Sequence, residues 1–236
     1  MSIAPIPWPG PCLLWQVDLE AAPTAANCLS EAEQARAARF VFARDGQRYD
    51  AAHAALRQIL STETGIAPER LEFTEGEFGK PALAIPSEVR FNLSHSHSIG
   101  LIAVSRGAEV GVDVELARTV SDAMALAATC FTPGEIRMLQ ATPAASRDRA
   151  FLVGWTRKEA ATKALGLGMS ADLQALEVGL ECAEREVQCR LGSHMRALQV
   201  FSISLGEGLV GALALDSVHA GGHQAAATTS LIDLLS

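Results

Sequence analysis

Asp113 and Glu115 stand two residues apart in Gly111-Val112-Asp113-Val114-Glu115, and Glu159 and Lys163 stand four apart in the run from Trp155 to Lys163. In a β-strand, which the flanking valines favour, alternate side chains leave the same face, so the two carboxylates present hard oxygen ligands to one cation. In a helix, residues four apart share a face, so Glu159 and Lys163 project together. Taken singly, the first pair also reads as a solvated strand face and the second as a surface ion pair. Taken together, three carboxylates and a lysine suit a magnesium ion and a pyrophosphate held by both.

A chain of 236 residues with 49% apolar residues can bury a proper core, as one body or as two similar lobes. Its formal charge of −8 argues against a general affinity for nucleic acid, which needs a basic face. Any anionic ligand must meet a local basic patch. Arg36, Arg39, Arg44, Arg48 and Arg57, set against Asp45 and Asp50, form one candidate, and a solvated helix face is the other reading of that stretch. The 5 cysteines are odd in number and contain no C-x-x-C pair, so reduced thiols are expected rather than a disulfide framework or a zinc site. The proline-rich segment 1–15 has neither the basic start nor the apolar length of a signal or anchor, so a cytoplasmic protein with no membrane partner is expected.

The elements that must position these residues follow from periodicity and caps. Leu13 to Leu19 reads as a strand, and Ser30 with Glu33 reads as the capping box of a helix carrying Arg36 and Arg39. A second helix is expected over 45–63, with Tyr49, Ala52, Leu56, Ile59 and Leu60 as its buried stripe, ending near Gly65. Strands are expected at 71–73, 89–93 and 99–105, with a turn over 77–81 and another over 107–111 leading into the Asp113 strand. Helices follow over 120–128, after Thr132-Pro133, and over 149–165, ended by Gly166 and Gly168. Strands over 176–180, 186–191, 198–205 and 209–215 complete the chain, with Gly192 to Met195 as a hairpin loop. A soft boundary near 108 gives lobes 1–108 and 109–219, and 220–236 reads as a mobile tail.

Gly79-Lys80-Pro81, Phe91-Asn92-Leu93-Ser94-His95-Ser96, Gly111 to Glu115, Phe131-Thr132-Pro133-Gly134-Glu135 and Trp155 to Lys163, in that order, resemble the 4′-phosphopantetheinyl transferases. The match covers roughly Ser30 to Met169 and is similar to the long, two-lobed type, the one that activates peptide and polyketide synthases and siderophore assembly lines, including the surfactin synthetase. The resemblance implies an α+β, pseudo-symmetric two-lobed fold with the active site in the cleft between the lobes, acting as a monomer. It implies transfer of the phosphopantetheine arm of coenzyme A to a serine of an apo acyl or peptidyl carrier protein, with release of 3′,5′-ADP.

The roles the resemblance implies are specific. Asp113, Glu115 and Glu159 would hold Mg2+, and Lys163 would contact the reacting phosphate, with Lys158 as a second cation. Glu135 would be the general base, although it reads equally as the third helical residue of a capping box with Thr132. Ser94 and His95 would meet the nucleotide phosphates, and Lys80 and Pro81 would lie beside the adenine and pyrophosphate. Arg36, with Arg39 and Arg48 nearby, would meet the 3′-phosphate. The chain departs from the pattern at Glu33 and Tyr49, where one well-known member carries a lysine and a threonine for that phosphate. Trp155 is expected to pack in the core, and Met124, Leu126 and Phe131 to offer the carrier an apolar surface. The rival from another enzyme class is a magnesium-dependent nucleotide or coenzyme A pyrophosphate hydrolase, in which the same carboxylates would activate water.

Overall fold

A computed structural model describes residues 2–20, 28–191 and 193–216. The first half of the chain places its alternating apolar runs in β1 (Ser2–Ile6), β2 (Cys12–Asp18), β5 (Val89–Ser96) and β6 (Ile99–Arg106), an antiparallel sheet in the order β1-β2-β6-β5. A short hairpin, β3 (Phe73–Glu75) with β4 (Pro81–Leu83), turns through Gly79 at φ 80°. The turn over 77–81 places Gly79 at a backbone angle that side chains with a Cβ disfavour. The second half forms β7 (Val110–Leu116), β8 (Arg185–Leu191), β9 (His194–Ile203) and β10 (Leu209–Asp216), in the order β7-β10-β9-β8.

Each sheet is covered by one helix of 22 residues. In the first lobe α1 (Glu31–Ala37) starts on the expected capping box: Ser30 accepts from the Glu33 amide, and Glu33 accepts from the Ser30 amide. Next, α2 (Ala43–Thr64) ends at Gly65, left-handed at φ 73°, and its Ala52, Leu56, Ile59 and Leu60 pack on Val17, Phe91, Ile102 and Val104. In the second lobe come α3 (Ala123–Cys130), α4 (Pro133–Ala141) and α5 (Ala144–Leu165), the last closed by Gly166 at φ 67°. The small residues Ala160, Ala161 and Ala164 let α5 lie close on Leu198, Val200, Ala212 and Ala214.

The lobes share a core. Cys12, Leu14, Leu101 and Ala103 from the first sheet are buried together with Val110, Val112, Val114 and Leu213 from the second. At about 25 cal/mol per Å2 of apolar surface, such a contact holds the lobes as one body rather than as two bodies on a hinge.

The run 176–180, expected as a strand, is a loop. Its backbone groups are taken by buried side chains instead of a ladder: Glu135 accepts from the Val178 and Gly179 amides, Arg157 donates to the Val178 carbonyl and Lys158 to the Leu176 carbonyl. The proline-rich N-terminus supplies an edge strand, β1, in a segment for which no element was expected. Helix α5 begins at Ala144 rather than 149, and α3 is displaced toward Cys130. The tail expected to be mobile, 220–236, lies outside the described residues, as does Gly192 of the expected hairpin loop.

Glu33 is more than a cap. It is buried against Arg57, whose Nη2 lies 2.8 Å from Oε2, and His53 Nδ1 lies 3.1 Å from Oε1. Burial alone would raise its carboxyl pKa, but the hydrogen bonds from His53, Arg57 and Ser30 outweigh it and bring the value down to about 2, from 4.5. A folded value below the unfolded one stabilises the fold above pH 4.5, and that contribution fades as pH falls from 4.5 toward 2. The wild-type urea midpoint is therefore expected to drop across this window by an amount worth about 2 kcal/mol more than in Glu33→Gln. Parallel pH profiles for the two proteins would contradict this role.

Candidate active site

The site grows from the seam between β5 and β7. Ser94 Oγ donates to Asp113 Oδ1 at 2.7 Å and Ser96 Oγ donates to Glu115 Oε2 at 3.0 Å. The two strands thus run side by side in the same direction, each hydroxyl fixing the carboxylate nineteen residues further on. Two residues earlier, Asn92 Oδ1 accepts from the Val112 amide at 2.8 Å, which locks the register. The two-residue step expected for Asp113 and Glu115 is therefore matched by a two-residue step of hydroxyls across the seam.

Helix α5 brings the other two groups. Lys163 Nζ lies 2.7 Å from Asp113 Oδ1, 3.2 Å from Ser94 Oγ and 3.3 Å from the Val112 carbonyl. Glu159, one turn earlier, has no hydrogen-bond or ion-pair partner for its carboxylate among the described residues. Its pKa is pushed up by desolvation first and then by Asp113, with Lys163 pulling it down and Glu115 adding to the rise. Glu159 on α5 is thus close enough to Asp113, Lys163 and Glu115 to feel their charges.

Gly111 sets how closely the helix approaches. A Cβ built there would sit 2.1 Å from the Ala160 carbonyl oxygen and 2.4 Å from the Ala164 amide nitrogen, both backbone atoms of α5. An alanine must therefore push the helix, and Glu159 and Lys163 with it, away from Asp113. Gly111→Ala is expected to lose about 1 to 3 kcal/mol of stability and to cut turnover about a hundredfold. Urea unfolding and initial rates on one preparation check it, and wild-type turnover in the variant would refute this positioning.

Among the described residues no group of three or more His, Cys, Asp or Glu side chains is gathered as a metal cluster. The donor set nevertheless suits a hard divalent cation, because it consists of carboxylate oxygens with hydroxyls behind them. The Lys163 ammonium, surrounded by oxygens of Ser94, Val112 and Asp113, shows that this point of the seam accommodates positive charge. Glu159, which meets desolvation and repulsion from Asp113 and Glu115 against attraction to Lys163, is a group whose charged form such a cation would stabilise.

Of the residues expected to meet the nucleotide, His95 stands close enough to this centre to feel Lys163 and Asp113. His95 is exposed at the end of β5, and its imidazole is held below the ordinary value by desolvation, then by Lys163, His53 and Arg48. Arg36, in the last turn of α1, stands 5.7 Å from the centre of the Tyr49 ring, and both Arg36 and Arg39 are exposed. Arg48 is paired with Glu20 and lies 3.8 Å from Asp45. Pro81 opens β4 and is exposed.

Three of the residues with expected roles are engaged with protein partners. Lys80 directs its three donors to Glu109 at 2.6 Å, the Val110 carbonyl at 3.1 Å and the Ala164 carbonyl at 3.2 Å. It straps the first lobe to the end of α5, with all three N–H donors taken by these contacts. Lys158 is fully buried, and its three donors meet Glu135, Leu173 and Leu176. All three of its donors are thus taken within the second lobe. Glu135 is fully buried too: Oε1 accepts from Val178 and Gly179, and Oε2 accepts from Thr132 and lies 2.8 Å from Lys158 Nζ. Its acceptor positions are thus met by four protein donors, and the side chain is closed off from solvent. The capping-box reading describes it.

Phe131 departs from its expectation, and Trp155, packed against the same core cluster, meets its own in part. Phe131 is fully buried and stacks on Phe151, so it offers no surface. Trp155 is half-buried and, with Glu115, Val120, Leu126, Cys130 and Phe151, lines a cavity of about 460 Å3 beside the carboxylates.

Sequence reasoning passed over Asn92, Ser96 and His53. The first two carry a signal, since Asn92, Ser94 and Ser96 alternate at the step of the carboxylates they face. His53 carries none, because only the approach of α1 to α2 brings it to Glu33.

The two halves match separate family models. Residues 14–107 match the 4′-phosphopantetheinyl transferase N-terminal model, and residues 109–214 match that of the 4′-phosphopantetheinyl transferase superfamily. The chain is 36% identical over 178 residues to the 4′-phosphopantetheinyl transferase HetI of Nostoc sp., covering 72% of this chain and 75% of that protein. It is 31% identical over 174 residues to the 4′-phosphopantetheinyl transferase psf-1 of Bacillus pumilus, covering 73% and 72%. It is 34% identical over 135 residues to the 4′-phosphopantetheinyl transferase AcpT of Salmonella typhimurium, covering 57% and 68%. No helix among the described residues is long and apolar enough to cross a membrane.

Proposed function

The chain belongs to the 4′-phosphopantetheinyl transferase superfamily, and on that premise we propose how its seam moves the phosphopantetheine arm of coenzyme A onto a carrier-protein serine. The observation that carries the reading is the meeting of Asp113, Glu115, Glu159 and Lys163, on β7 and α5, with the Ser94 and Ser96 hydroxyls of β5. The lobe 1–108 supplies the coenzyme A contacts and the lobe 109–219 the acidic groups, so a single chain completes the site.

Asp113, Glu115 and Glu159 are the residues that would hold Mg2+, which when bound neutralises pyrophosphate charge. Ser94 and His95, at the end of β5, face the phosphates. Arg36 and Arg39 face the nucleotide end. Lys163 leaves Asp113 for the phosphate oxygens as negative charge builds on them, and a charge-assisted donor placed there favours the transition state over the ground state.

The serine oxygen forms a bond to the phosphorus that carries pantetheine, and the bond from that phosphorus to the bridging oxygen breaks, releasing 3′,5′-ADP. Glu159 accepts the serine proton. Asp113 and Glu115 are each engaged with a hydroxyl or an ammonium, whereas Glu159 has no such partner among the described residues and so keeps an oxygen available to the serine hydroxyl. The cavity lined by Val120, Leu126 and Trp155 lies beside this point and offers the acceptor an apolar seat.

The test is a mass measurement. With coenzyme A, magnesium and an apo acyl or peptidyl carrier, the carrier gains one phosphopantetheine group and 3′,5′-ADP appears in equal amount. Free 4′-phosphopantetheine with an unmodified carrier would mean that water, not serine, is the acceptor.

A further inference from the structure

Glu33 stands where a lysine for the 3′-phosphate is found in a well-known member, and a carboxylate cannot replace it. The structure shows what it holds instead. Glu33 is fixed from one side by Arg57, and its Oε1 lies 3.1 Å from His53 Nδ1. An ionised carboxylate only accepts, so Nδ1 carries the hydrogen of that bond. The imidazole is stacked on Tyr49, with ring centres 4.0 Å apart, and the Arg36 guanidinium lies over the same Tyr49 ring. Ring position and tautomer are therefore both set by neighbours.

Among the described residues none hydrogen-bonds His53 Nε2, and the side chain is 25% exposed. The charged groups that meet it are Glu33 on α1, Asp50 on α2 and His95 on β5. Arg48, the other basic group of α2 in this region, is paired with Glu20 and near Asp45.

We propose that His53, oriented by Glu33 and Tyr49, is the residue of α2 that grips the 3′-phosphate of coenzyme A, with Arg36 as its companion. The ring donates Nδ1–H to Glu33 and Nε2–H to a phosphate oxygen, as imidazolium between two anions. Glu33 acts as a positioning residue: it replaces a direct cation by one that it anchors through a second element. Arg36, exposed and over the same Tyr49 ring, adds a planar fork suited to phosphate oxygens. The assignment rests on the transferase reading of the site.

Calorimetric titration with coenzyme A and with 3′-dephospho-coenzyme A, both in magnesium chloride, tests it. Against wild type, His53→Ala is expected to weaken coenzyme A about tenfold, the worth of one charge-assisted hydrogen bond, and to leave 3′-dephospho-coenzyme A within about twofold. His53→Gln, which keeps a donor for Glu33 but carries no charge, should show the same selective loss and controls for folding. Equal weakening of both ligands, or of neither, overturns the proposal. Wild type that modifies a carrier yet binds both ligands alike overturns this assignment alone. Wild type that neither binds coenzyme A nor modifies a carrier overturns the transferase reading, and this assignment with it.

Discussion

Asp113→Asn and Glu159→Gln each lose transfer by about a thousandfold while melting within a few degrees of wild type. The two substitutions keep shape and remove charge. At 113 the amide oxygen can still accept from Ser94, so the seam between β5 and β7 stays closed, but the anion that answers Lys163 is gone. At 159 the carboxylate has no hydrogen-bond partner among the described residues to lose, and removing its charge ends both the repulsion from Asp113 and Glu115 and the attraction to Lys163, so the fold is expected to keep its stability. A stable protein with lost turnover is the signature of groups arranged for a ligand rather than for folding. Carrier modification followed by mass spectrometry, with thermal unfolding on the same samples, reads both. Wild-type turnover in either variant would remove the acidic triad from the mechanism.

The opposite signature is expected one helix face away. Four donors point at Glu135, namely the amides of Thr132, Val178 and Gly179 and the Lys158 ammonium, and a glutamine offers them only one oxygen. Glu135→Gln therefore sets an amide group against donors and leaves a fully buried lysine without its counter-ion. Breaking such a pair from one side costs about 3 to 5 kcal/mol. Combining it with Lys158→Met should cost less than the sum of the single changes, because the charge and its partner leave together. Below its melting temperature the folded Glu135→Gln enzyme should turn over near the wild-type rate. Urea unfolding of both single variants and the double variant, with kcat measured well below the transition, distinguishes this latch from a general base. Intact stability with lost turnover would restore the base.

These two contrasts mark how far the sequence could be read. Local signals were legible because their physics is local. The capping boxes of Ser30 with Glu33 and Thr132 with Glu135, the left-handed glycines 65 and 166, and the step from Asp113 to Glu115 are all fixed within a few residues. The targets of long, flexible side chains were not. Lys80, Lys158 and Lys163 look alike in sequence, yet one straps two lobes, one is buried behind α5 and one sits on Asp113. Which carbonyls or carboxylates surround each ammonium depends on packing between segments far apart in the chain. Residues 176–180 misled for the same reason: an apolar run reads as a strand until buried Glu135, Arg157 and Lys158 claim its backbone groups. Arg157 illustrates what that burial costs a cation, since desolvation first, then Arg185, bring its pKa down to about 10.

The claim on which the account turns is that Asp113, Glu115 and Glu159 share one divalent ion with the diphosphate of coenzyme A. Crystals grown with coenzyme A and manganese(II) in place of magnesium give an anomalous signal that locates the ion directly. The account predicts a single peak at the β5–β7 seam, about 2.0 to 2.4 Å from carboxylate oxygens of these residues and from a pyrophosphate oxygen. A bound coenzyme A whose pyrophosphate lies away from the seam, or a peak without these carboxylates around it, would contradict it.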